Sequence, residues 1–173
     1  GEFGFVGAKV YVNVGEDPAQ YGANSKVWTT KCKNNVIRYC EVSNSRNNND
    51  GVGIGFDGAA ENNEIYGSKS HHNKRGFSIN LGISSAVFSN MAHNNDEDGY
   101  RWKNSSNCEF NHNTGLSNKG AGIQAGNCVG GTAKNNILVG NAQLIDKTNC
   151  IDINESNNKT EIDLPSIVWN ALT

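Results

Sequence analysis

Five segments of the chain share one internal spacing, and that repeat constrains the fold more than any other feature. They read "NVIRYCEVSNS", "NEIYGSKSHHN", "SAVFSNMAHNN", "CEFNHNTGLSN" and "GTAKNNILVGN". Their third residues are Ile37, Ile65, Val87, Phe110 and Ala133, at steps of 28, 22, 23 and 23. Three places further on stand Cys40, Ser68, Asn90, Asn113 and Asn136. Eight places on stand Ser45, Asn73, Asn95, Asn118 and Asn141. A fixed period in this range marks a stacked architecture, in which one unit cannot bury its apolar stripe alone.

After a short polar turn a second motif follows each of the first four segments: "GVGIGFD" from Gly51, "GFSINL" from Gly76, "GYRWK" from Gly99 and "GAGIQA" from Gly120. Each opens on glycine and then alternates, and period two means strand. The alternation puts Val52, Ile54 and Phe56 on one face, then Phe77, Ile79 and Leu81, then Tyr100 and Trp102, then Ala121, Ile123 and Ala125. Ile54, Ile79, Trp102 and Ile123 form the expected second inward column. The leading glycine suits a bend at positive φ. "GIGFDG" within this motif has the spacing of a dinucleotide-binding fingerprint. That fingerprint needs a buried strand before it and a helix after it. Polar "SNSRNNND" precedes and "AAENNEIYG" follows, so the glycines belong to a repeating strand instead.

Two or three short strands per period of about 22 residues predict an all-β fold. The expected architecture is a single-stranded, right-handed parallel β-helix of about six to seven coils. Rungs about 4.8 Å apart would pair in parallel ladders. The chain holds 29 asparagines in 173 residues. Stacked at turns, they would bond along the axis as amide ladders do. Residues 1–3 read as a cloning remnant and 4–173 as one β-helix domain, with clear repeats over 33–142. Residues 143–173 lose the repeat but keep "CIDIN" and an apolar tail, which suits an irregular C-terminal cap. "KVYVNV" near the start suits an early coil.

The net charge of -2 carries no basic nucleic-acid footprint. No apolar run reaches the length of a membrane-spanning helix. Five cysteines with no CxxC pair argue against a zinc site and a complete disulfide framework. Cys32 and Cys40 could pair across a turn, but buried free thiols acting as small hydrophobes are the better fit. The sequons at Asn104, Asn154 and Asn158 are expected by chance in so asparagine-rich a chain.

The segments "NNVIRYCEVSNS" to "DGVGIGFDG" and "SSNCEFNHNTGLSNKGAGIQAGN" resemble the β-helix repeats of the pectate-lyase-like superfamily. That superfamily includes polysaccharide lyases, mannuronan C5-epimerases and phage tailspikes. The resemblance covers roughly residues 33 to 142. It implies a secreted or cell-surface, carbohydrate-active protein whose partner is a polysaccharide, an acidic one. Epimerase-like members carry Gly-Phe-Asp preceded by tyrosine and followed by histidine. Gly55-Phe56-Asp57 matches, but Ile54 holds the tyrosine place and Ala59 the histidine place. Lyases of one branch carry lysine where this chain has Asp57.

Alternation forces Asp57, Ser78, Asn80, Arg101, Lys103 and Gln124 outward on neighbouring rungs. Outward β-helix positions are polar by default, and a solvated face accounts for such a row without any function. The functional reading is a shelf for an acidic sugar. Arg101 and Lys103 would neutralise a uronate carboxylate and stabilise an enolate as C5 loses its proton. Either of them, its pKa lowered by its cationic neighbour, could take that proton, with His93 or His71 as the alternative base. Asp57 completes the catalytic set, and Ser78, Asn80, Gln124 and His71 would contact substrate. No cofactor is required. The turn Asp96-Glu97-Asp98 is the one candidate for Ca²⁺, beside the simpler reading of a solvated turn. The alternative to a lyase or epimerase is a non-catalytic glycan-binding, surface or tailspike-type module.

Overall fold

The structure is a computed structural model, and it describes residues 5–6, 32–45 and 51–160. These form an all-β parallel solenoid, with no helix among the described residues. Strands β1 (Phe5–Val6) and β2 (Cys32–Lys33) come first. One turn then comprises β3 (Val36–Arg38), β4 (Glu41–Ser43) and β5 (Val52–Glu61). The next holds β6 (Glu64–Tyr66), β7 (Lys69–His71) and β8 (Arg75–Ile83). A third holds β9 (Ala86–Phe88), β10 (Met91–His93) and β11 (Tyr100–Lys103). A fourth holds β12 (Ser106–Asn111), β13 (Thr114–Leu116) and β14 (Ala121–Gly126). Strands β15 (Val129–Lys134), β16 (Ile137–Val139), β17 (Gln143–Thr148) and β18 (Asn154–Ser156) follow.

The solenoid makes about four turns with partial rungs at its ends, not the six to seven expected. "KVYVNV", read as an early coil, lies outside the described residues, as does the apolar tail read as part of the cap. Residues 143–159, expected to leave the repeat, continue it. β17 pairs with β14, β18 pairs with β15, and Ile137 bridges Lys159.

The middle strands form a six-stranded parallel sheet, β1-β4-β7-β10-β13-β16. The other two sets merge into one twelve-stranded sheet, because β8 runs through the corner and its Ile83 pairs with Ser106 of β12. The first inward column is as expected, Ile37 to Ile65 to Val87 to Phe110 to Ala133. The expected second column is in fact two. Ile54, Phe77, Tyr100 and Ile123 stack in one, and Phe56, Ile79, Trp102 and Ala125 in the other. All are buried. Phe77 stacks on Tyr100 at 5.1 Å and Trp102 on Phe110 at 5.4 Å. Leu81 breaks the pattern. It adopts φ 57 and is 36% exposed, because the chain turns the corner there.

The leading glycines also divide. Gly51 has φ 53, the bend expected. Gly76 and Gly99 have no positive φ; they are small because rungs close in on them. A Cβ on Gly76 would overlap the carbonyl oxygen of Gly99 and crowd the Asn95 amide.

Two asparagine ladders run along the axis inside the turns. In one, Cys40 N–H donates to Ser68 Oγ, Ser68 N–H to Asn90 Oδ1, Asn90 N–H to Asn113 Oδ1, and Asn113 N–H to Asn136 Oδ1, at 2.8–3.1 Å. Asn158 extends it by one rung at 3.0 Å. In the other, Ser45, Asn73, Asn95, Asn118 and Asn141 are linked in the same way at 2.8–3.1 Å. The residue before each ladder member takes the left-handed conformation, as at Asn44, His72, Asn94 and Ser117. Asparagine tolerates that region better than most residues. A third, exposed ladder links Asn80, Asn104, Asn127 and Asn149 through side-chain amides at 3.0–3.2 Å.

Candidate functional site

Parallel register sets the residues of β5, β8, β11, β14 and β17 in rows. One row runs Gly55, Ser78, Arg101, Gln124, Asp146, and its neighbour runs Asp57, Asn80, Lys103, Gly126, Thr148. Successive members are one strand spacing apart, roughly 4.8 Å. Ser78, expected to face out, is buried, while Asn80, Arg101, Lys103 and Gln124 are half-buried. The expected cluster of Ser78, Asn80, Arg101, Lys103 and Gln124 is therefore assembled. Asp57 is in register beside Asn80.

Beside this face lies a recess of about 430 Å³, lined by Arg75, Asp96, Glu97, Asp98, Arg101, Lys119, Gly120, Gln124 and Asp146. Arg101 and Gln124 enter it, but Lys103 does not. The charges in it are largely matched. Glu97 pairs with Arg75 and lies 3.5 Å from Lys74 Nζ, and Lys119 Nζ is 2.8 Å from Asp96 Oδ1. Asp98 Oδ1 accepts a hydrogen bond from the Ala121 N–H at 3.0 Å. Burial pushes the Asp98 carboxyl above its ordinary value. The Ala121 N–H and the charges of Arg75 and Arg101 oppose that shift only in part.

The acidic turn expected to suit Ca²⁺ is thus spent on a cation at Asp96, two cations at Glu97 and a backbone amide at Asp98. Among the described residues no group of three His, Cys, Asp or Glu side chains is arranged to hold a metal ion.

Arg75, Lys119 and Asp146 were not singled out by the sequence. The repeat itself carried the signal. Lys119 lies 23 residues beyond Asp96, Glu97 lies 23 beyond Lys74, and Asp146 lies 22 beyond Gln124. Each pair is therefore one rung apart, and the repeat had to be followed past residue 142 to find Asp146. His71 and His93 stand elsewhere. They lie on β7 and β10 of the six-stranded sheet, register partners of one another, and neither lines the recess.

Ile54, at the place where epimerase-like members carry tyrosine, points into the core and is fully buried. Free thiols, the favoured reading, hold among the described residues, and the alternative Cys32–Cys40 pair is not formed; Cys40 is exposed, not buried. Cys40, Cys108, Cys128 and Cys150 are free thiols, and Cys40 Sγ donates to the Arg38 carbonyl at 3.3 Å.

No curated protein matches the chain in sequence. Among solved structures it is similar to the periplasmic alginate epimerase AlgG, with 14% identity and a TM-score of 0.38. That match covers 72% of this chain and 47% of the other, so the chain spans about half the length of that structure. A family model described as a right handed beta helix region matches residues 19–166, and the chain belongs to that right-handed β-helix family.

Proposed function

We propose that this protein recognises a polysaccharide along the face of β8, β11 and β14, with Arg101 as the contact for a sugar carboxylate. The observation that supports it is the row Arg101–Gln124–Asp146 lining a polar recess with Arg75 and Lys119. Rows of hydroxyl, guanidinium and amide groups about 4.8 Å apart suit successive rings of an extended glycan. Matched charge in the recess suits a hydroxyl-rich chain carrying scattered carboxylates. A dense polyanion would meet Asp96, Glu97, Asp98 and Asp146 there. The chemistry we assign to the site is uronate C5 proton removal with Arg101 and Lys103 holding the enolate charge. Asp98, whose carboxyl burial pushes above its ordinary value, lines the recess with Arg101 and is the group we assign to carry the proton. Extracellular or cell-surface placement goes with this reading.

A non-catalytic binding module is the second reading. Ile54 and Ala59 replace the tyrosine and histidine of the epimerase-like motif, and that observation favours binding without turnover. Arg101→Ala and Lys103→Ala should each weaken retention on partly esterified pectin or alginate, whose free carboxylates are scattered, about two- to fivefold, the worth of an exposed charge contact. The loss should shrink as salt rises. Near-ultraviolet absorbance from an unsaturated product marks a lyase, and C5 hydrogen exchange without cleavage marks an epimerase. Binding with neither leaves the module. Wild-type behaviour of both variants on both polymers would remove the glycan reading.

A further inference from the structure

Three histidines on the six-stranded sheet form a cluster apart from the recess. The rings of His71 and His93 stack at 4.7 Å with 9° between their planes. His72, at φ 53, sets its ring edge-on to both, at 5.1 and 6.0 Å. His71 Nδ1 lies 2.8 Å from His72 Nδ1, and His71 Nε2 lies 3.0 Å from Glu41 Oε1 on β4. His93 Nδ1 lies 3.1 Å from the Asn94 amide nitrogen. Lys69 adds a positive charge from β7, and β13 sets uncharged Leu116 in register with His93. The three rings and Glu41 thus tie three consecutive strands, β4, β7 and β10.

Hydrogen-bond chemistry limits how many protons this cluster can hold. A nitrogen-to-nitrogen bond needs one N–H and one lone pair. The His71–His72 bond therefore survives with both rings neutral or with one charged, and is lost when both are charged. The Asn94 amide N–H donates, so His93 Nδ1 accepts and that ring is neutral. Protonating it would put a donor against a donor and stack a cation on a neighbouring imidazole. We propose that His71, His72, His93 and Glu41 form an acid-sensitive latch, which holds β4, β7 and β10 together while it carries at most one extra proton and loosens when it takes up a second.

The sign of the pH dependence follows from His93. Burial first, then the charges of His71 and His72, hold its imidazole below the ordinary value, and Glu41 opposes them. At His93 the folded protein therefore binds fewer protons than the unfolded chain between its folded value and pH ~6.5. The stabilisation is present above that pH and is lost as pH falls through the folded value.

Histidine side-chain ¹H–¹⁵N NMR, with thermal unfolding over the same acid range, tests this. His93 should titrate below the ordinary histidine value. His72→Asn should raise the His93 midpoint. On acidification His93→Asn should lose about 2–4 °C less in Tm than wild type. A His93 midpoint at or above ~6.5, a midpoint unmoved by His72→Asn, or the same acid profile for wild type and His93→Asn would each overturn the proposal.

Discussion

Asn118 carries four kinds of contact with one side chain. Its Oδ1 accepts from the Asn95 N–H at 3.1 Å and from Asn95 Nδ2 at 2.8 Å. Its Nδ2 donates to the Ala92 carbonyl and to Asn141 Oδ1. Asn118→Ala leaves the buried Asn95 amide and the Ala92 carbonyl without these partners, which should cost about 1–3 kcal/mol in urea unfolding. Asn104→Ala, in the exposed ladder where water replaces the lost bonds, should stay within about 0.5 kcal/mol. The contrast was legible in part. The spacing picked out Asn118, but it could not separate an inward amide from an outward one, because both ladders repeat at the same step. Asp98 gives a test of opposite sign. Its raised carboxyl contributes stability that is present below pH 3.8 and lost as pH rises through the folded value. Asp98→Asn keeps an acceptor for the Ala121 N–H, so it should raise the Tm at neutral pH, and the gain should vanish in strong acid. A loss of Tm at pH 7 would mean that the pull of Arg75 and Arg101 outweighs burial.

Single strands obey period two wherever one face is covered. On β8 that rule put Phe77 and Ile79 inside and Asn80 outside, as found. Ile79→Asp should cost about 4 kcal/mol or more by burying an unpaired charge. Asn80→Asp, one position on and facing out, should cost within about 0.5 kcal/mol. Equal unfolding midpoints for the two variants would mean the register of β8 is wrong. The same rule failed at Leu81, where a left-handed backbone ends the alternation. It also merged two columns, since aligning the motifs on Gly51, Gly76, Gly99 and Gly120 slips the pairing by two residues at β5 and β14. Register pairs Gly53, Gly76, Gly99 and Gly122 instead. A slip of two keeps each side chain on its face, so burial was read correctly while the partners were not.

Across the whole molecule, a fully buried apolar side chain contributes about 1.5–3 kcal/mol against about 1 for a hydrogen bond. The apolar columns therefore carry the stability, and the ladders hold the rungs in line. Sulfur follows the same logic. Burial pushes the Cys108 thiol up to about 12 and the Cys128 thiol to about 11, so both should react slowly with a thiol reagent in the native protein. After denaturation without reductant at least four thiols should titrate, for Cys40, Cys108, Cys128 and Cys150; three or fewer would mean a disulfide forms. The stacked β fold, its inward residues and its amide ladders were determined by the sequence, because each rung repeats one local pattern and a repeat of period near 22 can bury its stripe only against its own neighbours. Which charges meet was decided by the tertiary structure. Asp146 reaches the recess because the coil continues past residue 142, and His71 and His93 leave it because the chain turns a corner between β10 and β11. Turn lengths and left-handed residues set those corners, and hydrophobic periodicity does not record the angle through which a turn carries the chain.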